Sequence, residues 1–232
     1  MPERKLFVVA ISGKMQSGKD TIGSYLVNKY KFKRIAFGDK LKEICMNYDN
    51  STSEKRKQWN RSIAKDLYPE ENIEKMSEII DDLMQRIQPG LWTRLTYDEC
   101  YKQKTDFSRN VMQQLGEGIR ALKGDSSCWA KYLIRKCLTR SGRYVICDLR
   151  YKSEAFLVEQ IDHSQIWRVK RPIEEESLFG SNHISEIDLD DYPFEVVLNN
   201  NSTIGELHRQ VDKVVRPFLQ GQKPFFADNS LY

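Results

Sequence analysis

The chain has 232 residues, of which 40% are hydrophobic and 11% aromatic, enough for a packed core in one α/β domain or at most two small units. Its 37 Lys and Arg residues against 33 Asp and Glu residues give a net charge of only +4, which excludes a strongly cationic protein that coats nucleic acid. No apolar run reaches the roughly 18 to 20 residues that span a bilayer. The 5 cysteines form no C-x-x-C pair, which indicates a reducing environment. We therefore expect a soluble, intracellular, cytoplasmic protein with neither nucleic acid nor a membrane as partner.

The first half of the chain is predicted to begin with a strand and a helix on either side of a glycine-rich segment. The apolar run LFVVAIS (6–12) predicts a strand that is covered on both faces, and DTIGSYLVNKY predicts a helix. A short strand is expected at 34–37, followed by a helix in DKLKEICM. The next region, 47–107, is polar and has no clear strand pattern. Within it, YPEENIEKMSEIIDDLMQRIQPG predicts a helix with Pro69 in its first turn and Pro89-Gly90 at its end.

The second half of the chain alternates between helices and strands. Ser108 is predicted to cap the first of these helices. The predicted order is helix 108–122, helix 125–138, strand 143–150, helix 152–162, strand 165–170, strand 194–198 and a final helix at about 203–219. This alternation predicts an α/β fold, a parallel sheet of about five strands with helices on both faces. We expect one domain over residues 1–232, with a mostly helical insertion at about 47–140.

The segment SGKMQSGKDT, which follows the first strand, has the G-x-x-x-x-G-K spacing of a phosphate-binding loop. A loop of this kind directs backbone N–H groups at a phosphate, and Lys19 can reach between the β- and γ-phosphates. The flanking strand and helix favour phosphate binding over a purely structural turn. The candidate phosphate-binding residues are Gly13, Lys14, Ser17, Gly18, Lys19, Asp20 and Thr21.

Asp20 occupies the position at which such loops usually carry Ser or Thr, whose hydroxyl helps to hold Mg²⁺. A carboxylate can also serve Mg²⁺, directly or through water, and Thr21 supplies a hydroxyl one residue later. The alternative is that Asp20 is a first-turn acid that interacts with the helix dipole. We favour Asp20 and Thr21 as metal-binding candidates.

Asp148 lies at the end of a predicted buried strand, where open α/β sheets bind ligands. Arg150 follows two residues later, and Glu154 lies one helical turn beyond it. An Asp at such a position can instead cap the next helix. The combination of the three residues favours a function, because Arg binds phosphate bidentately and carboxylates orient Mg²⁺, water or a sugar hydroxyl.

The ordered set of these motifs resembles the phage-type deoxynucleoside monophosphate kinases. The resemblance covers most of the chain outside about 47–105 and rests on SGKMQSGKDT, GDKLKE, RNVMQQLGEGIRALKGDSSCWAKYL, YVICDLRYKSEA, WRVKRP, SNHISE and VVLNNNSTIGEL. The loop of that family also reads S-G-K-x-x-S-G-K-D-T, so Asp20 is ordinary there. The resemblance implies a P-loop kinase fold, ATP as phosphate donor, Mg²⁺, and a mostly helical region that covers the acceptor.

The resemblance also assigns residues to the acceptor. Those in matching motifs are Lys42 in KLKE, Arg109, Gly116 and Glu117 in RNVMQQLGEG, Trp129 in CWAK, and Asp148, Arg150 and Glu154 in DLRYKSE. Arg109 and Arg150 can pair with the acceptor phosphate, and Trp129 offers a face to a base. The alternatives are a core aromatic for Trp129 and a solvated surface lysine for Lys42. Glu117 departs from the small polar residue that the family carries.

On the donor side, the resemblance implies cations at Arg168, Lys170 and Arg171, with Arg171 before Pro172 as the best candidate. LNNNST (198–203) resembles the loop whose backbone faces the donor adenine. His183 and Glu186 match the H-x-x-E pattern of the family, and their role stays open between a salt bridge and substrate contact.

The predicted activity is transfer of the ATP γ-phosphate to a dNMP, with Lys19, Asp148 and Arg150 as catalytic residues and without a covalent intermediate. Two alternatives stay open. One is another small-acceptor kinase similar to the phosphomevalonate kinases, which share the loop and a strand-end D-x-R, and the other is a non-catalytic nucleotide-binding protein. Small-molecule nucleotides are the expected partners, and a homodimer is left open.

Overall fold

The computed structural model describes residues 5–49, 51–87, 95–103, 105–138, 141–172 and 187–222. The chain divides into two compact units. The sheet unit consists of Met1–Ala36 with Cys137–Tyr232, and the helical unit is Phe37–Lys136. His183 and Glu186 lie outside the described residues.

The described residues form five strands and nine helices. The strands are β1 (Leu6–Ser12), β2 (Lys33–Ile35), β3 (Gly142–Ile146), β4 (Ser164–Lys170) and β5 (Val196–Asn199). The helices are α1 (Lys19–Tyr30), α2 (Asp39–Asn47), α3 (Ser53–Leu67), α4 (Ile73–Ile87), α5 (Tyr97–Tyr101), α6 (Asp106–Ala121), α7 (Cys128–Cys137), α8 (Lys152–Glu159) and α9 (Ile204–Leu219). None of these helices is long and apolar enough to cross a bilayer.

The sheet unit contains one parallel sheet with the strand order β2-β3-β1-β4-β5. The central strand is β1, whose Val9 pairs with Val145 of β3 on one side and with Gln165 of β4 on the other. Because all strands point the same way, the segments that leave β1, β3 and β4 lie side by side at one edge. The predicted fold class is confirmed, and the sheet with its flanking helices is consistent with a P-loop kinase-like fold.

Both faces of this sheet are covered, which explains why its strands read as apolar runs rather than as alternating patterns. Val9 and Ile11 belong to a core cluster with Ile22 of α1 and Val211 of α9. Val8, which alternates with them along β1, is fully buried as well, and α8 packs on β1 and β4.

Two predicted element boundaries and one predicted helix cap are wrong. The strand predicted over 143–150 ends at Ile146, so the segment that carries Asp148 is a connection. The helix predicted from Pro69 begins at Ile73, because the Asn72 side chain accepts a hydrogen bond from the N–H of Lys75 at 3.0 Å. Pro89-Gly90, the predicted end of that helix, lies outside the described residues.

The N-cap of α6 is the third correction. Ser108 lies inside the helix and is fully buried, whereas Thr105 is the capping residue and accepts a hydrogen bond from the N–H of Ser108 at 3.1 Å. Serine and threonine can both cap a helix. Thr105 is the cap here because α6 begins at Asp106, so that the N–H of Ser108 belongs to the first turn and has no carbonyl acceptor within the helix.

The helical unit contains α3, which the sequence pattern does not predict because its exposed positions are highly charged. Thr52 caps this helix by accepting from the N–H of Lys55 at 3.2 Å. Its fully buried Asn60 donates to Asp81 of α4 at 2.7 Å and accepts from the Tyr48 hydroxyl at 3.1 Å. The buried amide joins α3 to α4, and its hydrogen bonds offset the free-energy cost of removing it from water.

Candidate phosphate-binding site

The glycine loop connects β1 to α1 and approaches its neighbours more closely than a side chain allows. Gly18 has φ +108°, and a Cβ atom there would lie 2.5 Å from Nδ2 of Asn200. A Cβ atom at Gly13 would lie 2.7 Å from the carbonyl oxygen of Val169 in β4. Asn200 also donates to the carbonyl of Ser17 at 2.9 Å. The two glycines therefore let the loop fit between β4 and the segment after β5.

The N-terminal end of α1 places Lys19 directly after this loop. The ammonium group of Lys19 donates to the carbonyl oxygens of Gly13 at 2.5 Å and Lys14 at 2.6 Å. The cap residue Gly18 has no side chain that could occupy the first N–H groups of α1. The cation and the N-terminal end of the helix dipole thus stand together, an arrangement that attracts an anion.

Ser17 contributes a polar atom that the protein itself does not satisfy. Its side chain is 1% exposed, and its Oγ makes no hydrogen bond to the residues that the structure describes. A buried hydroxyl without a partner costs free energy. Because this hydroxyl lies inside the glycine loop, it can donate a hydrogen bond to an oxygen of a bound ligand such as a phosphate.

Asp20 forms an ion pair that the sequence did not predict. Its carboxylate lies 2.5 Å from the guanidinium of Arg34 on β2, and its side chain is 76% exposed. Burial lowers the pKa of Arg34, but nearby Cys147, Asp20 and Asp148 outweigh that effect and raise it. Arg34 therefore stays a cation at the edge of the sheet that carries the loop. Thr21 follows in the first turn of α1 and is partly buried.

Asp148 and Arg150 lie in the connection after β3, next to the glycine loop at the same edge of the sheet. The connection is shaped by Glu154, which is 1% exposed and accepts from the N–H groups of Arg150 at 3.0 Å and Tyr151 at 3.2 Å. Asp148 is partly buried and Arg150 exposed. Glu154 thus holds the backbone of this connection, and its direct contact with a substrate stays a prediction.

Cys147 precedes Asp148 and packs against α1 where that helix has Gly23. Burial raises the pKa of the Cys147 thiol to about 12, so the thiol stays protonated at neutral pH. The residue therefore serves packing between α1 and the end of β3 rather than nucleophilic chemistry.

A cavity of about 320 Å³ lies beside the loop on the side of β4 and β5. Its lining comes from the loop, the end of β4 and the segment after β5, and consists of Lys14, Ser17, Arg168, Val169, Lys170, Arg171, Pro172, Asn199 and Asn201. Arg171 donates to the carbonyl of Gln16 in the loop at 3.3 Å. The cavity brings the predicted donor-side cations together with the start of the loop, and its walls include part of the predicted LNNNST loop.

The predicted acceptor residues of the helical unit occupy different environments. Arg109 is exposed in the first turn of α6. The Lys42 side chain is 17% exposed and lies 4.4 Å from the centre of the Tyr101 ring, so it is not a freely solvated lysine. Gly116 lets Leu41 of α2 approach α6, since a Cβ atom there would lie 3.1 Å from Cδ2 of that leucine. Glu117 follows it and is partly buried.

Trp129 in α7 is 2% exposed, and its indole N–H donates to the carbonyl of Gly116 at 3.3 Å. The structure therefore shows a core aromatic, one of the two roles predicted for it. A base could reach the ring only after neighbouring side chains moved, and stacking on a base stays a prediction.

The residues at the loop fit a phosphate-bearing ligand better than a metal ion held by protein alone. The loop supplies the Lys19 cation, the N-terminal end of α1 and the Ser17 hydroxyl, which has no hydrogen-bond partner among the described residues. No group of three or more His, Cys, Asp and Glu side chains that could hold a metal is found in the described residues. Mg²⁺ typically needs only one or two protein oxygens when phosphates and water complete its shell. Asp20 and Thr21 fit that smaller role.

The fold and the loop define the class of protein, an α/β protein with a P-loop kinase-like fold and a candidate phosphate site at the carboxyl edge of its parallel sheet. No family model matches the chain. The sequence is 24% identical over 207 residues to a protein of Acanthamoeba polyphaga mimivirus named "Putative deoxynucleotide monophosphate kinase", with 89% of this chain and 94% of that protein aligned. The similarity over nearly the full length of both chains supports a kinase family.

Proposed function

We propose that the chain is an ATP-dependent nucleoside monophosphate kinase that transfers the γ-phosphate of ATP to a dNMP and releases dNDP and ADP. The observation that carries the proposal is the glycine loop at the end of the central strand. It combines Lys19, the start of α1 and the buried Ser17 hydroxyl, for which the described part of the chain offers no hydrogen-bond partner. The name of the mimivirus relative supports a nucleotide as acceptor.

In this proposal the donor phosphates bind to the loop and to Lys14 and Arg168, the cations of the adjoining cavity, and the remainder of that cavity accepts the rest of the donor nucleotide. The Lys19 ammonium offsets the charge on the transferred phosphoryl group, and the N–H groups at the start of α1 orient its oxygens. Arg171, which contacts the loop backbone, adds a cation at the cavity side. When bound, Mg²⁺ would supply further charge neutralisation near Asp20 and Thr21, through oxygen or water ligands.

Arg150 and Asp148 are proposed to act on the acceptor. The exposed Arg150 can hold its phosphate bidentately, and Asp148 can orient it for in-line attack. No general base is required, because a nucleoside monophosphate is already ionised at neutral pH. Lys42, Arg109, Gly116, Glu117 and Trp129 of the helical unit are further proposed acceptor contacts, which rest on the resemblance of their motifs.

A coupled assay of ADP release tests the proposed reaction. The purified chain is offered ATP and Mg²⁺ with each dNMP, each NMP and phosphomevalonate in turn. Turnover with one or more dNMPs supports the proposal. Turnover with phosphomevalonate alone would assign the chain to another class of small-acceptor kinase, and silence with every acceptor would indicate a non-catalytic nucleotide-binding protein.

Lys19→Ala tests the loop directly. We expect kcat to fall at least about 100-fold, because the cation that offsets phosphoryl charge is lost. The free energy of unfolding should fall by about 1 to 3 kcal/mol, because the carbonyls of Gly13 and Lys14 lose the hydrogen bonds that the ammonium donates. The matched control is Lys33→Ala, which removes an exposed lysine of β2 and should leave kcat unchanged. Undiminished turnover in the Lys19 variant would contradict the assignment.

A further inference from the structure

Asp190 bridges two cations that belong to different parts of the sheet unit. Its Oδ2 accepts a hydrogen bond from the Lys14 ammonium at 2.6 Å, and its Oδ1 accepts from Nη2 of Arg168 at 2.7 Å. Lys14 lies in the glycine loop, 176 residues earlier in the chain, and Arg168 lies in β4. Both oxygens of one carboxylate are therefore committed to the cations beside the loop.

The two cations line the cavity of about 320 Å³ next to the glycine loop, together with Ser17, whose buried hydroxyl makes no hydrogen bond within residues 5–222 as far as the structure describes them. The Arg168 side chain is only 10% exposed, and its Nη1 donates to the Ser12 hydroxyl at 3.1 Å. A guanidinium that is so deeply buried needs a negative partner. Asp190 supplies that charge in the structure.

A carboxylate and a phosphate use the same hydrogen-bond donors in the same geometry. The Asp190 side chain is 43% exposed, so it can move away from the cavity without opening the core. Its hydrogen bonds are nevertheless strong. Burial raises the pKa of Asp190, but the hydrogen bonds from Lys14 and Arg168 outweigh that effect and hold it below its ordinary value. The carboxylate is therefore ionised at neutral pH and neutralises both cations.

We propose that Asp190 is a positioning residue that occupies Lys14 and Arg168 in place of a polyphosphate, and that a polyphosphate must displace it to bind beside the glycine loop. The inference rests on the proposed function in one respect, since it takes the polyphosphate chain of the donor as the natural ligand. Asp190 both holds the two cations in position and lowers the affinity of the site for anions.

The test compares Asp190→Asn with Asp191→Asn. Asp191 is the next residue along the chain and forms its own ion pair with Lys152 at 2.7 Å, so its variant removes an equal charge from the same segment without touching the two cations. The Kd of inorganic tripolyphosphate is measured by calorimetry with EDTA and without an acceptor, so that neither metal nor turnover enters. We expect Asp190→Asn to bind about three- to tenfold more tightly than wild type, and Asp191→Asn to bind within about twofold of it.

A second measurement covers the case in which Asp190→Asn folds poorly because Arg168 loses its counter-charge. Tripolyphosphate should then raise the Tm of this variant more than that of wild type, whereas sulfate at the same ionic strength should not. Binding that is equal to or weaker than wild type, together with an equal or smaller rise in Tm, overturns the inference. A wild-type chain that is silent in the kinase assay would instead sink the proposed function, and the comparison of variants would still decide the role of Asp190.

Discussion

Gly18 shows how a single backbone conformation determines whether the loop can form. Its φ of +108° is unfavourable for any residue with a Cβ atom, and that atom would also meet the Asn200 amide at 2.5 Å. The same amide donates to the carbonyl of Ser17, so displacing it would disturb the loop as well. The residue thus serves the fold and the site together.

We expect Gly18→Ala to lower the free energy of unfolding by about 1 to 3 kcal/mol, because the strained conformation and the close contact add. ATP affinity should fall with it, since the N–H groups of the loop would turn away from the phosphates. Urea denaturation and calorimetry with ATP measure the two effects. Gly205→Ala is the control, because Gly205 lies in the first turn of α9 with space around it, and alanine should stabilise that helix by about 0.5 to 1 kcal/mol.

Arg34 and Asp190 are the site residues that sequence reasoning missed. Neither stands in a motif, and each is defined by one partner that is distant along the chain, Asp20 for Arg34 and Lys14 for Asp190. The predictable residues of the site were those whose spacing is local, such as Gly13, Gly18 and Lys19. An ion pair between distant parts of the chain has no fixed residue spacing by which the sequence could predict it.

At the scale of elements, α1 and α9 are joined by a network around Asp212 of α9. Its carboxylate accepts from the hydroxyls of Tyr25 at 2.9 Å and Tyr30 at 2.6 Å, and from the ammonium of Lys29 at 2.7 Å. Burial raises the pKa of Asp212, but the hydrogen bonds from Lys29 and the two tyrosines outweigh it and lower the pKa to about 2. The ionised carboxylate therefore stabilises the packing of α1 on α9.

Asp212→Asn should lower the free energy of unfolding by about 1 to 2 kcal/mol at pH 7. The pKa is depressed in the folded state, so this contribution is fully present above the ordinary Asp value of 3.8 and is lost as the pH falls towards about 2. The difference between variant and wild type should accordingly shrink below about pH 4 in urea titrations. Asp162→Asn, which removes an exposed carboxylate in the turn before β4, is the control for the loss of one negative charge. A difference for Asp212→Asn that is constant down to pH 2 would contradict the role of the network.

The helical unit illustrates where element prediction fails. The helix α4 was predicted, and its Met76, Ile80 and Met84 are buried as the helical period of 3.6 residues requires. The adjacent α3 was missed, because its inward face includes the buried Asn60 and is surrounded by charged residues. A buried polar residue such as Asn60 interrupts the apolar pattern by which a helix is recognised, because its hydrogen-bond partners are known only from the tertiary structure.

At the scale of the whole molecule, ligand binding should appear as added stability. A ligand that binds only the folded chain and is present at 100 times its Kd adds about 2.7 kcal/mol to the free energy of unfolding. For a chain of this length we therefore expect ATP to raise the Tm by about 5 to 10 °C. Scanning calorimetry over a series of ATP concentrations measures this. Lys19→Ala should show a much smaller rise at the same concentrations, and an identical rise in both proteins would place ATP away from the loop.

The sequence by itself determined the parallel α/β fold and the position of the glycine loop, and it predicted Asp148 and Arg150 at the carboxyl end of the third strand, which in the structure already ends at Ile146. These features depend on apolar periodicity, turn chemistry and residue spacing within a few turns, which are local properties of the chain. Only the tertiary structure decided that Trp129 packs in a core, that Glu154 holds the backbone of its own connection, and that Asp190 faces Lys14 and Arg168. For Asp190 the reason is that the strand order β2-β3-β1-β4-β5 places β4 beside β1, which brings Arg168 close to the glycine loop. For Trp129 and Glu154 the reason is that the burial of a side chain depends on the elements packed around it, which residue spacing does not specify.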